Sequence, residues 1–83
     1  GKPPPRGHWP EAEIFLSRMQ KAEIQRLLEN LGFYHGPIDG RFGQASRDAI
    51  HDFQISAKFL PADGFATPEL LDRLVAEVSR QPR

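Results

Sequence analysis

The chain has no cysteine. That excludes a disulfide staple and any thiolate metal site, and it leaves the compartment open. It also has no net charge, because eleven basic and eleven acidic residues cancel, and no dense basic run occurs. Duplex nucleic-acid binding by phosphate neutralisation is therefore unsupported. No apolar run approaches the roughly 20 residues that cross a bilayer, so no membrane span is expected. No signal-peptide pattern is present. The sequence reads as an excised domain with Gly1 as an expression remnant, and any export signal of a parent protein is expected outside it. With 83 residues, one domain is expected, near the size where packing alone leaves only a few kcal/mol of net stability.

Residues 1–16 begin as a proline-rich linker or N-terminal arm. Pro3, Pro4 and Pro5 favour an extended segment, and Trp9 before Pro10 is pushed out of the helical region. Trp9 is expected to fold back on the domain as a clasp, with ligand contact as the alternative. The domain proper is placed at residues 17–79, with 80–83 as a frayed tail.

Three helices are expected inside it. The first covers residues 18–31. "SRMQ" is a capping box on Ser17 and Gln20, and Ile24, Leu27, Leu28 and Leu31 share one face. The second follows Phe42-Gly43. Ala45, Ala49, Ile50, Phe53 and Ala57 are its expected apolar face, and Arg47, His51, Gln54 and Lys58 form one polar stripe. The third opens with "TPEL", where Thr67 caps, Pro68 takes the first helical position and Glu69 meets the positive end of the dipole. Leu70, Leu71, Leu74, Val75 and Val78 supply its buried face. With no convincing strand run, the expected fold is all-α, a small three-helix bundle with a shared core.

Between the first two helices lies "GFYHGPIDGRFGQAS". Gly32 ends one helix, Gly36-Pro37 makes a turn, and Asp39-Gly40 makes a second in which the carboxylate bonds backbone amides. Phe42 is expected to plug the core, and Gly43 to cap the next helix. "ADGFATPE" repeats the device through Asp63, Gly64 and the aromatic Phe65. The pair reads as a weak internal repeat of loop plus helix, shortened in the second copy.

Catalysis has little to stand on. A glycosidase needs two carboxyl groups about 5 to 9.5 Å apart across a cleft. Glu23, Glu29, Asp48 and Asp52 instead fall on polar helix faces. His35, His51 and Asp39 can be drawn as a metal triad, but no HExxH spacing supports it, and no GxSxG signature occurs. No cofactor, metal site or catalytic residue is expected.

The ordered set Ile24-Gln25, Leu28, Leu31-Gly32-Phe33, Gly36, Asp39-Gly40, Phe42-Gly43, Ser46, Ala49-Ile50, Phe53-Gln54 and Asp63-Gly64 resembles the peptidoglycan-binding domain family of bacterial cell-wall proteins. It covers residues 16 to 76. Trp9-Pro10, Leu16-Ser17 and "PADGFATPELLDRL" look most like the C-terminal module of periplasmic lytic murein transglycosylases of Gram-negative bacteria. The sequence departs from the family pattern at Gln44, where proline is usual, and after Asp63-Gly64, where a glycine often stands.

The resemblance implies a non-catalytic, monomeric module in the periplasm or cell envelope. It would bind peptidoglycan, by glycan strand or stem peptide, and be covalently attached to a catalytic domain. Such a ligand needs flat apolar surface, amide hydrogen bonds and a few cations. Tyr34, Phe33, His35, Asp39, Arg41, Arg47, His51 and Gln54 are the candidates. Tyr34 is expected to stack on a sugar, and Arg41 or Arg47 to pair a carboxylate. Asp39 reads better as a turn residue, and Gln54 reads also as a group satisfying loop backbone. The competing function is protein docking through an apolar patch of Ile55, Phe59 and Phe65. The pro-segments of matrix metalloproteinases resemble this fold too, but they inhibit through a cysteine that this chain lacks.

Overall fold

The computed structural model describes residues 13, 16–60 and 62–81. Three helices follow in order: α1 (Arg18–Asn30), α2 (Gln44–Ser56) and α3 (Pro68–Ser79), with no strand among the described residues. The all-α bundle expected from periodicity is borne out. Trp9 lies outside the described residues, as does the proline run before it.

Each helix starts where its capping chemistry places it. The Ser17 hydroxyl accepts from the Gln20 amide and the Gln20 side chain accepts from the Ser17 amide, which closes the capping box. Thr67 accepts from the Leu70 amide, and Pro68 fills the first turn of α3. Gly43 caps α2 with backbone alone. α1 and α2 both end in a Schellman turn. At the first, the Phe33 amide donates to the Leu28 carbonyl at 2.8 Å and Gly32 takes φ 90°. At the second, the Phe59 amide donates to the Gln54 carbonyl at 2.8 Å and Lys58 takes φ 55°.

α1 packs on both α2 and α3. The core is Leu16, Ile24, Leu27, Leu28, Tyr34, Ala49, Ile50, Phe53, Ala66, Leu70 and Leu74, with Phe33, Phe42 and Phe59 packed half-buried against it. The edges of Phe33 and Phe53 meet face to edge at 5.8 Å between centroids.

Four expectations need correction. Ala45 is exposed and Ser46 is buried in its place, because Ser46 is the residue that faces Gln25 on α1. Val75 is 45% exposed, so α3 buries a narrower stripe centred on Leu70 and Leu74. The plug of the second loop is Ala66 rather than Phe65: Ala66 is buried, whereas Phe65 lies half-buried under a guanidinium. The packed unit also takes in Glu13 and Leu16, both buried and both upstream of the boundary expected at residue 17.

Candidate functional site

Two buried glutamines build the loops. Gln25 is fully buried on α1. Its carbonyl accepts from the Asp39 amide at 3.0 Å and the Gly40 amide at 2.8 Å. Its amide nitrogen donates to the Arg41 carbonyl at 2.7 Å, to Ser46 Oγ at 3.0 Å and to Asp39 Oδ1 at 3.2 Å. Gln54 repeats the arrangement on α2. It accepts from the Gly64 amide at 2.9 Å and donates to the Phe65 carbonyl at 3.2 Å and Asp63 Oδ1 at 3.3 Å. A primary amide suits this job because it offers both donors and an acceptor, which a turn's mixed backbone groups require.

The carboxylates tighten each turn from within. Asp39 Oδ1 accepts from the Arg41 amide at 2.9 Å, and Asp63 Oδ1 accepts from the Phe65 amide at 3.0 Å. The Arg41 amide, and then Gln25, hold the Asp39 carboxyl below the usual carboxylate range. Asp39 is thus engaged as a turn residue. Gly40 and Gly64 take φ 76° and 79°. Gly40 also lies against the α1 backbone, where an added Cβ would sit 2.6 Å from the Arg18 carbonyl oxygen.

An arginine seven residues before each glutamine completes the unit. Arg18 Nε donates to the Asp39 carbonyl at 2.9 Å, and Arg47 donates to the Gly64 carbonyl at 3.2 Å. Arg18 to Gln25 and Arg47 to Gln54 have the same spacing, and both Asp-Gly turns lie four residues before the next helix cap. The internal repeat is therefore an Arg-x6-Gln helix face clamping an Asp-Gly turn. Sequence reasoning placed Gln54 on a polar stripe and also read it as a group satisfying loop backbone; the structure bears out the second reading, and what the sequence reading missed is the matching arginine and the buried role of Gln25. The available signal was position: Gln54 falls four residues after buried Ile50, on the inner arc of α2.

Arg47 is likewise engaged. Its guanidinium forms a two-pronged pair with Glu13 at 2.7 Å for each contact. The guanidinium carbon sits 4.3 Å from the Phe65 ring centroid and 5.4 Å from that of Phe42. Glu13 accepts from the Ala66 amide as well, at 2.9 Å. Phe65 therefore lies beneath a cation, Phe59 packs on the core, and Ile55 alone of the expected apolar patch is well exposed, at 57%.

Tyr34 is 3% exposed, so its ring offers no face for a sugar to stack on. Its hydroxyl donates to the Pro37 carbonyl at 2.7 Å, and Gly36 passes so close that a Cβ there would lie 2.6 Å from that hydroxyl. Among the candidates, Arg41 and His35 are exposed with no side-chain partner among the described residues. His51 is exposed beside Asp52 at 3.8 Å. Phe33 lines a surface notch that the sequence did not announce.

That notch has a volume of about 260 Å³ and lies where the ends of α1 and α2 meet α3. Leu31, Phe33, Phe53 and Ala57 form its apolar walls, and Ser56, Lys58, Arg73 and Glu77 its polar ones. Arg73 donates to the Ala57 carbonyl and to Glu77, and Glu77 also accepts from Arg80. No group of three His, Asp or Glu side chains suited to a metal ion occurs among the described residues.

Comparison with known proteins agrees with this architecture. The family described as "Putative peptidoglycan binding domain" matches residues 18–74, which include both glutamine clamps and both Asp-Gly turns. The chain is 44% identical over 61 residues to the "Putative OxPP cycle protein OpcA" of Nostoc punctiforme, covering 74% of this chain and 13% of that protein. It is 41% identical over 59 residues to the "N-acetylmuramoyl-L-alanine amidase CwlM" of Mycobacterium tuberculosis, covering 71% of this chain and 14% of that protein. Among solved structures it is similar to SltB3 from Pseudomonas aeruginosa, crystallised in complex with NAG-anhNAM-pentapeptide. That likeness has a TM-score of 0.68 at 47% identity, over 72% of this chain and 16% of SltB3. The chain thus spans a small fraction of each relative's length.

Proposed function

The chain belongs to the peptidoglycan-binding domain family, and from that premise we propose that it is a non-catalytic module holding an attached wall-acting enzyme on the sacculus. The observation that carries this reading is the family match over residues 18–74, the span in which both clamped turns are built. The solved relative in complex with a disaccharide-pentapeptide supports the same ligand class. A non-catalytic role fits the chemistry of the polar groups. Glu13, Asp39, Asp63 and Glu77 are each held by an arginine, a glutamine or a backbone amide. Among the described residues, Glu29, Asp48, Asp52, Glu69 and Asp72 are exposed on helix faces, and Glu23 is paired with Arg26.

The parent protein on this reading is a lytic murein transglycosylase of a Gram-negative periplasm, with this module acting as a monomer. Weak contacts would be multiplied by the repeating sacculus, so tethering raises the enzyme's effective concentration on its substrate. Arg41, His35 and His51 are the expected site residues that lie exposed to a ligand, with His51 beside Asp52.

The test is co-sedimentation of the purified domain with isolated sacculi across a salt series. Retention through moderate salt is expected. A domain that stays in the supernatant at high sacculus load would remove wall binding and transfer the function to docking on the attached domain.

A further inference from the structure

Lys58 is where the backbone and the surface chemistry disagree. It closes α2 in the left-handed conformation, at φ 55°. The corresponding place at the end of α1 is filled by Gly32, which adopts φ 90° with open space around it. A side chain with a Cβ is strained in that conformation and glycine is not. Yet the chain carries lysine here, on the wall of the notch, and its ammonium has no hydrogen-bond or ion-pair partner among the described residues. Strain kept at one member of a repeated pair, beside a cavity, points to a ligand contact.

The notch sets the ligand's chemistry. Its inner wall is aliphatic and aromatic, and its charges sum to an excess of positive: Arg73 is balanced by Glu77, and Lys58 is left over. An anion with a small apolar group fits that arrangement. At about 260 Å³, the notch is smaller than the roughly 300–1,000 Å³ that encloses a drug-sized molecule, so it takes the end of a chain rather than the middle. Sugar binding would call for an open ring face. The described aromatic residues, Phe33, Tyr34, Phe42, Phe53, Phe59 and Phe65, are all buried or half-buried.

We infer that the notch receives the carboxylate-terminated end of a stem peptide, with Lys58 pairing the terminal carboxylate and Leu31, Phe33 and Ala57 contacting its short side chain. This inference rests on the wall-binding reading and assigns its ligand to the peptide rather than the glycan.

The experiment is an NMR titration of the labelled domain with three probes: the free pentapeptide, the same peptide as its C-terminal amide, and NAG-anhNAM without peptide. Amide shifts at Phe33, Ala57 and Lys58 are expected with the free peptide. Binding should weaken about 5- to 10-fold for the amidated peptide, and the bare disaccharide should leave the notch unmoved. Lys58→Gly should melt higher by about 4 °C because the strain is relieved, and should lose peptide affinity by a similar 5- to 10-fold. Lys58→Gln should lose affinity without the thermal gain. Equal binding of peptide and amide, notch shifts with the disaccharide, or full affinity in Lys58→Gly would each overturn the assignment. Sacculus pelleting of the wild type, run in parallel, separates the failures: if it pellets and Lys58→Gly binds as well as it does, only the notch assignment falls.

Discussion

Replacing Gln25 by leucine keeps the side chain's size and removes all of its hydrogen bonds. The Gly40 amide and the Ser46 hydroxyl are buried and lose their partner without access to water. The Asp39 amide and the Arg41 carbonyl are nearer the surface, so water can replace the glutamine there. A buried polar group left unpaired costs about 1–3 kcal/mol. Two such groups, partly offset by the more apolar side chain, give a loss of about 3–4 kcal/mol. A domain of this length has roughly 4–12 kcal/mol in total, so Gln25→Leu should remove a large share of its stability.

Gln54→Leu provides the internal control. There only the Gly64 amide is buried, and the bonds to Phe65 and Asp63 are longer, at 3.2 and 3.3 Å. The expected loss is about 2 kcal/mol. Urea denaturation followed by far-UV circular dichroism, with unchanged m-values, measures both variants against wild type. A Gln54→Leu loss equal to or larger than that of Gln25→Leu would refute the reasoning, as would a Gln25→Leu loss below about 1 kcal/mol.

Alanine substitutions at the left-handed glycines should rank by what the new Cβ meets. Gly40→Ala, at 2.5 Å from Arg18 Cγ and 2.6 Å from its carbonyl oxygen, should lower the melting temperature most; Gly64→Ala, at 3.2 Å from the Arg47 carbonyl, should come next, and Gly32→Ala, with nothing within 4 Å, last. Asp39 has a folded pKa below its unfolded value, so its contribution is present above about pH 4 and lost as pH falls through the folded value. Asp39→Asn should therefore flatten the fall in stability below about pH 4 in a pH series of melts, and an unchanged acid limb would count against this origin. Glu13→Ala should cost about 2 kcal/mol, because it leaves Arg47 and the Ala66 amide without their carboxylate while partial exposure of Arg47 tempers the loss. Glu13→Gln, which can still accept from Ala66, should cost less, and chemical denaturation compares the two.

The parts of the fold legible in the sequence were those with local causes. The capping box at Ser17, the Thr67-Pro68 start and the apolar spacing of Ile24, Leu27 and Leu28 act within one or two helical turns. The ordered loops were legible because Asp-Gly turns carry their own hydrogen bonds. Long-range pairings were not. Arg47 looks like part of a solvated stripe until Glu13 is seen to arrive from elsewhere in the chain, and the loop backbone that Gln54 could satisfy is identified only when Gly64 arrives beside it. Tyr34 looked like a surface aromatic in a glycine-rich loop. Its burial follows from Pro37 and Gly36 folding over its hydroxyl, which no periodicity reports. The notch was illegible for the same reason, since it is a space between the ends of two helices and the side of a third.

The repeat sharpens where ligand specificity can reside. Both copies use the same arginine, glutamine, aspartate and glycine, so these residues secure each turn and cannot distinguish one loop's role from the other's. Among the matched places where the copies differ, three bear on the surface and the core. Gly32 pairs with Lys58, Arg41 with Phe65, and Phe42 with Ala66. The last difference fills core volume, large in one loop and small in the other. The first two place a cation on the surface in one copy only, Arg41 in the first loop and Lys58 at the end of the second helix. Both side chains lack a partner among the described residues. Among the described residues the other cations, Arg18, Lys21, Arg26, Arg47, Arg73 and Arg80, are engaged within the domain, so on the proposed reading an anionic ligand would be met first at Arg41 and Lys58, two of the positions at which the copies differ.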